Sequence, residues 1–184
     1  MMVLALIFSG LIASAPEEAQ PLVPFYVPRS ATIGLFINDP VVSPHFRLAW
    51  EGAIVSQPRN ELIWLLTLGS AIGVGVKSPM TAHYQHVLLA GLGYRSDHAV
   101  LHWGFHVVSG PVWYRAAYLP GAGFRFESRV LGYIEGRVQL GVRLLPHLRL
   151  AAYFGYASPF VFATQFPGNT FVGGLDTGLV LDWR

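Results

Sequence analysis

Apolar and polar residues alternate with a period of two along most of this chain. In the clearest stretch, 129–144, every second position from Val130 to Leu144 is apolar or glycine, and most positions between them are polar. Such an alternation, held over sixteen residues, is typical of a β-strand whose two faces meet different surroundings. A helix would place Leu131 and Leu140 on opposite faces. It would also contain three interior glycines, each costing roughly 1 kcal/mol relative to alanine.

The same period predicts eight strands, joined alternately by short and long connections. The predicted strands are 30–38, 45–56, 61–76, 83–95, 99–109, 129–144, 147–157 and 171–184. The tight connections are 57–60, 96–98 and 145–147, and the longer ones are 39–44, 77–82, 110–126 and 158–170. All tight turns then fall on one side of the sheet and all long loops on the other. This asymmetry is typical of β-barrels that span a membrane.

A low content of charged residues also indicates a membrane protein. Lys, Arg, Asp and Glu make up 12% of the 184 residues, and 53% are hydrophobic, whereas a soluble domain carries about 25% charged residues. A transmembrane helix needs about 20 consecutive, mainly apolar residues. Every uncharged stretch here is too short or is interrupted by proline, histidine or a Pro-Gly-Asn turn. The composition therefore favours strands, not helices, as the elements that cross the membrane.

Several chemistries are excluded or disfavoured by the composition. The net charge is only +2 and the basic residues are scattered, which argues against a nucleic-acid partner. Cysteine is absent, which excludes a disulfide scaffold and cysteine-based zinc or redox chemistry. His102 and His106 lie about 13 Å apart on one strand face, too far to share a metal ion. We therefore expect neither a metal site nor a cofactor.

The apolar face of the strands is predicted to point outward, toward lipid. A soluble, lipocalin-like barrel would need its polar face to cover the surface, but that face is sparse and rich in small residues: Gly69, Ala71, Gly73, Gly75, Gly91 and Gly93. Small residues suit the interior of an eight-stranded barrel, which is only wide enough for side chains. Tyr84, Tyr94 and Trp183 lie near predicted strand ends, where aromatic residues mark the two membrane interfaces.

The N-terminal region is predicted to be processed. Residues 1–15 form an apolar run that ends in Ala13-Ser14-Ala15, the small-x-small pattern of a signal-peptide cleavage site. Cleavage as late as residue 19 would also fit. Residues 16–29 contain four prolines and are predicted to be an extended periplasmic lead-in. The barrel then comprises residues 30–184.

The last strand resembles a known assembly motif. Asp176, Gly178, Leu181 and Trp183 match the C-terminal β-signal of outer-membrane proteins, with the order polar, x, Gly, x, x, hydrophobic, x, aromatic. In that group the barrel-insertion machinery recognises the signal. With the eight predicted strands, residues 30–184 resemble small outer-membrane barrels of the OmpA/OmpX type.

This resemblance implies an eight-stranded antiparallel up-and-down transmembrane β-barrel in the outer membrane of a Gram-negative bacterium. Both chain ends would lie in the periplasm. The protein would be a monomer in contact with outer-membrane lipid and lipopolysaccharide.

Six charged residues are predicted to point into the barrel. They are Arg47, Glu51, Glu135, Arg137, Arg149 and Asp176. Charges inside a narrow barrel are costly unless they are paired, so we expect a network that plugs the lumen. The sequence thus predicts a non-conducting barrel with a structural or surface-interaction role, and a gated pore is the alternative. Aromatic residues predicted in the long loops, such as Trp113, Tyr114 and Phe160, would form an interfacial collar or an adhesive surface.

Two other functions remain open. Some eight-stranded outer-membrane barrels deacylate or acylate lipid A with a His, a Ser and an acid, and the weak candidates here are His106, Ser109 and Glu127. A spacing of three residues puts His106 and Ser109 on opposite strand faces, and the His-x-Ser pattern is missing. The sequence therefore favours a protein that is not an enzyme. The other alternative is an OmpW-like conduit for small apolar molecules.

Overall fold

The computed structural model describes residues 27–38, 41–75, 80–118, 125–159 and 173–183. They form eight strands: β1 (Ser30–Asn38), β2 (Val41–Ser56), β3 (Asn60–Gly75), β4 (Met80–Asp97), β5 (Leu101–Tyr118), β6 (Arg125–Leu145), β7 (Leu148–Pro159) and β8 (Gly174–Trp183). Each strand pairs antiparallel with the next, and β8 pairs with β1 to close the barrel. The predicted fold class is confirmed. No helix within these residues is long and apolar enough to cross a membrane.

Arg29, just before β1, and Trp183, at the end of β8, lie with the tight turns at one end of the barrel, which we call the turn end. The N–H of Gln57 donates to the carbonyl of Asn60 (2.8 Å), and the N–H of His98 donates to the carbonyl of Leu101 (2.8 Å). The carbonyl of Arg29 accepts a hydrogen bond from the N–H of Trp183 (2.9 Å). The opposite end, which holds the connections after β1, β3, β5 and β7, is called the loop end. The predicted signal peptide lies outside the described residues.

The predicted loop at 110–126 is wrong for most of its length. β5 continues to Tyr118 and β6 begins at Arg125, and the ladder runs through Gly110 and Pro111 without a turn. Pro111 lies opposite Gly132, which leaves room for the proline ring. Trp113, Tyr114, Tyr118 and Phe126 therefore belong to strands, while Phe124, Phe160, Phe162 and Phe166 lie outside the described residues. β2 and β4 also begin earlier than predicted, at Val41 and Met80.

The apolar phase of every strand points outward, as the alternation predicted. One exposed apolar side chain from each strand, from β1 to β8, illustrates this: Ile33, Phe46, Ile72, Leu92, Phe105, Leu140, Phe154 and Leu179. Ile33 and Leu140 are 68% and 62% exposed. Most of the charged and polar positions between them point inward and are buried, as Arg47, Arg95 and Glu135 illustrate.

The interior also contains an apolar sector, which the sequence analysis did not predict. It is formed by inward side chains of β3 to β6: Ile63, Leu65, Val87, Leu89, Val108, Val112 and Leu131, all at most 5% exposed. Phe36, Tyr114 and Tyr133 extend the same cluster. Charged and polar side chains also point inward from these strands, among them Arg95, His106 and Glu135, so the apolar sector occupies only part of their inner surface.

Large inward side chains lie opposite glycines on the neighbouring strand. The pairs are His45–Gly34, Arg47–Gly69, His83–Gly73, Arg95–Gly104, His102–Gly141, His106–Gly93, Tyr133–Gly110, Arg137–Gly155, Tyr153–Gly178 and Asp176–Gly155. Because the interior is narrow, a large residue needs a small partner at the same level. This pairing explains why the polar phase of the sequence is rich in glycine.

Replacing Gly155 by alanine tests this packing rule. A Cβ at Gly155 would lie 2.6 Å from the carbonyl oxygen of Gly136 and 2.9 Å from the Cβ of Arg137. We expect Gly155→Ala to lower the free energy of unfolding by about 1–3 kcal/mol, as overpacking does. The control is Gly136→Ala, where a Cβ would have no neighbour within 4 Å. Urea unfolding in lipid vesicles, followed by tryptophan fluorescence, measures both. Equal effects of the two variants would contradict the rule.

Candidate functional site: the charged lumen

Four charged residues form one connected group inside the lumen. Arg47 Nη1 donates to both oxygens of Glu135, at 2.8 Å to Oε1 and 2.7 Å to Oε2. Arg137 Nε donates to Glu135 Oε1 at 2.9 Å, and its Nη2 donates to the same oxygen. Asp176 Oδ2 lies 3.7 Å from Arg47 Nη2 and 3.7 Å from Arg137 Nη2. Two cations thus face two anions, and we call this group the central cluster.

Neutral and aromatic side chains extend the central cluster across the lumen. His45 Nε2 lies 2.7 Å from Asp176 Oδ1, and the Tyr153 hydroxyl donates to the same oxygen at 2.8 Å. The guanidinium carbon of Arg47 lies 5.0 Å from the centroid of the Phe36 ring, and that of Arg137 lies 4.6 Å from the centroid of the Tyr153 ring. The cluster therefore connects β1, β2, β6, β7 and β8, which include strands that are not neighbours.

Burial makes these interactions strong and each partner necessary. Arg47 and Glu135 are each 1% exposed, and Asp176 is 0% exposed. An isolated charge at such a depth would be costly, because nothing replaces the water that it loses. Hydrogen-bonded ions of opposite sign offset that cost when their geometry is good. The contacts therefore fix Arg47, Glu135 and Asp176 relative to one another inside the lumen.

A second cluster lies nearer the turn end. Arg95 contacts three carboxylates, at 2.6 Å from Glu61, 3.2 Å from Glu51 and 3.4 Å from Asp182. Arg149 Nη2 lies 2.7 Å from Asp97, and its Nη1 lies 3.6 Å from Asp182. We call this group the turn-end cluster.

The six charged residues named from the sequence thus divide between two clusters. The central cluster holds Arg47, Glu135, Arg137 and Asp176, and the turn-end cluster holds Glu51 and Arg149. Four members of the turn-end cluster were not predicted from the sequence: Glu61, Arg95, Asp97 and Asp182. Glu61, Arg95 and Asp182 share the inward phase of their strands, so strict use of that phase would have found them.

The weak catalytic candidates are not brought together. His106 points into the lumen and is buried, whereas Ser109 is exposed on the outer face of the same strand. His106 pairs with Arg137, while Glu127 pairs with Ala116. Glu127 is ten positions from Arg137 on β6, which corresponds to about 33 Å along the strand. The structure describes the backbone of Glu127 but not its side chain.

The other lumen histidines also lie apart from one another. His83 Nε2 lies 3.0 Å from Ser43 Oγ near the loop end, and its ring packs against Tyr114 with 5.5 Å between centroids. His102 is buried four residues from His106 along β5. Within the described ranges, no group of three His, Cys, Asp or Glu residues could hold a metal ion.

The predicted interfacial aromatics and insertion signal occupy distinct positions. Tyr84 is exposed toward the loop end of β4, while Tyr94 packs against Trp103 toward the turn end, with 5.5 Å between ring centroids. In the C-terminal motif, Leu181 points outward, and Asp176 points inward as part of the central cluster. Asp176 therefore has a structural contact besides any part in assembly.

Comparisons with known proteins give a likeness of fold among solved structures. No family model matches the chain, and no curated protein matches it. Among solved structures, the chain is similar to the crystal structure of Neisserial surface protein A, with a TM-score of 0.49 and 13% sequence identity. The match covers 84% of this chain and 94% of that chain. The barrel assignment rests on the strand pairing described above.

Removing the negative charge of Glu135 tests the central cluster. Glu135→Gln would leave Arg47 and Arg137 buried beside a neutral amide, so we expect the free energy of unfolding to fall by about 3–5 kcal/mol. The control is Glu61→Gln, because the Glu61 side chain is 18% exposed and Arg95 would keep Glu51 and Asp182. We expect the control to cost about 1 kcal/mol or less. Urea titration in vesicles measures both, and a Glu135→Gln effect no larger than the control would contradict the assignment.

Proposed function

We propose that this protein is an integral β-barrel of the outer membrane of a Gram-negative bacterium, with a closed lumen and a structural or surface-interaction role. The observation that carries the proposal is that apolar side chains lie outside and charged side chains inside, the reverse of a soluble protein. Exposed apolar side chains cover the outside of all eight strands, and ion pairs lie inside. In water, the largest exposed apolar patch of a typical protein is only about 300–600 Å². A lipid environment removes this conflict.

The backbone supports the same proposal. A closed barrel satisfies its N–H and C=O groups between strands and leaves no sheet edge, which is a requirement inside a bilayer. β8 pairs with β1 over residues 175–182, so the ring is complete. Barrels with short turns on one side and longer loops on the other are typical of outer membranes.

The contents of the lumen support a barrel that does not conduct. Ion pairs occupy one part of the lumen, and the buried aliphatic residues of the apolar sector occupy another part. Leu89 and Val112 are both 0% exposed, which disfavours an OmpW-like path for apolar molecules through the centre.

The lengths of two strands support a surface role. A strand needs about 9–11 residues to cross the hydrocarbon core, but β5 and β6 contain 18 and 21 residues. Their hairpin therefore extends beyond the membrane. Near its loop end it exposes Arg115 and Arg129, a cationic surface suited to contacts at the edge of the bilayer.

Heat-modifiable mobility tests the membrane barrel. We expect the unboiled protein to migrate differently from the boiled protein on a detergent gel, because a closed barrel resists the detergent until heated. In cells, it should fractionate with the outer membrane. A chain that migrates identically in both states and remains in the aqueous fraction would refute the proposal.

Planar bilayers test the closed lumen. We expect the purified protein to give little or no steady conductance, since no open path is left by side chains that fill an eight-stranded interior. A large porin inserted into the same bilayers is the positive control. Large, stable channels formed by this protein would overturn the closed lumen but not the membrane location.

A further inference from the structure

One polar pair interrupts the outward apolar phase of two neighbouring strands. The outward positions of β3 are Leu62, Trp64, Leu66, Leu68, Ser70 and Ile72, and those of β4 are Tyr84, His86, Leu88, Ala90, Leu92 and Tyr94. Ser70 and His86 lie directly opposite each other in the ladder. Among the described strand histidines, His45, His83, His102 and His106 are buried, and only His86 is exposed.

The two side chains are hydrogen-bonded on the outside of the barrel. Ser70 Oγ lies 2.8 Å from His86 Nδ1, so the hydroxyl can donate to an unprotonated Nδ1. The Tyr84 ring packs edge-on against the His86 ring, with 5.4 Å between centroids, which restrains the imidazole. A hydroxyl within about 2.6–3.2 Å of an imidazole nitrogen is the geometry of a nucleophile with its general base.

The pair also lies at a specific depth of the proposed membrane. From Tyr94 to Tyr84 along β4 is ten residues, which at about 3.3 Å per residue and a tilt of about 40° gives about 25 Å, the height of a barrel's apolar band. His86 is two residues inside the upper limit, and exposed Arg115 lies opposite Tyr84. Ester linkages of membrane lipids lie between headgroups and acyl chains, at the upper limit of this band and about 5 Å above His86.

Ionisable residues that face lipid are costly and usually functional. A hydrogen bond to Ser70 reduces the cost for His86, but two apolar residues would avoid it altogether. The neighbouring outward positions on both strands are apolar or aromatic, as Leu68, Leu88 and Ile72 illustrate. The pair is therefore a local exception on the outer faces of β3 and β4.

We propose that Ser70 and His86 form a nucleophile–base pair that hydrolyses acyl esters of membrane lipids at the outer face of the barrel. The inference rests on the proposed function, since it requires that this face contacts lipid. Ser70 Oγ would attack the ester carbonyl carbon while His86 Nδ1 takes the hydroxyl proton. The ester C–O bond then breaks, and His86 returns the proton to the leaving alcohol. Interfacial water, deprotonated by His86, would cleave the acyl-serine, release the fatty acid and restore the hydroxyl.

The test uses the full barrel refolded into phosphatidylglycerol vesicles. A fluorophosphonate probe measures the reactivity of the serine, and released fatty acid measures hydrolysis. We expect the wild-type protein to be labelled and to release fatty acid, and Ser70→Ala to abolish labelling. His86→Gln should reduce both signals at least about a hundredfold, as loss of a general base does. Ser109→Ala is the matched control, because Ser109 is also exposed on the outer face but lies opposite Ala90. It should retain both signals.

Heat-modifiable mobility of every variant separates the possible failures. A wild-type barrel that shifts on heating but is neither labelled nor hydrolytic would overturn this inference and leave the proposed function intact. Activity that persists in a correctly folded Ser70→Ala variant would overturn it as well. A protein that remains in water without any mobility shift would overturn both proposals.

Discussion

An eight-stranded barrel encloses a space only wide enough for its own side chains. This limit determines which residues occupy the inward-facing positions of the strands. Arg47 can reach the lumen centre because Gly69 lies beside it, and Tyr153 can do so because Gly178 lies beside it. The same narrowness excludes bulk water from the centre, so every inward charge needs a partner of opposite sign. Size pairing and charge pairing are thus two consequences of one geometric constraint.

The charge pairing also reaches farther than the backbone ladder. Hydrogen bonds between strands connect only neighbours, whereas Arg47 on β2 binds Glu135 on β6 across the lumen. His45 and Tyr153 join β2 and β7 to Asp176 on β8. Opposite walls of the barrel are therefore held together directly, and the side chains that hold them also occupy the space through which solutes would pass. One set of side chains therefore both links distant strands and occupies space in the lumen.

The sequence predicted the number of strands, their faces and the six inward charges, because a period of two is a local property of the chain. It did not predict the length of the β5–β6 hairpin, since Gly110-Pro111 resembles a turn until the opposing Gly132 is known. It also did not predict which charges meet. Arg47 and Glu135 are 88 residues apart, and only the closure of the barrel brings them together. The inward or outward direction of a side chain follows from the alternation of its neighbours in sequence. Its partners across the lumen depend on the register of all eight strand pairs.

The same distinction applies to the outer face. His106 and Ser109 are close in sequence but belong to opposite faces of β5, whereas Ser70 and His86 are 16 residues apart and hydrogen-bonded. Both members of the second pair occupy positions that the apolar phase would assign to leucine or isoleucine. Polar residues inside the barrel are already explained by the narrow lumen and by charge pairing. A polar residue on the outer face has neither explanation, so it says more about function. Outside, neither constraint operates, so a hydrogen-bonded serine and histidine call for a cause in the lipid that surrounds them.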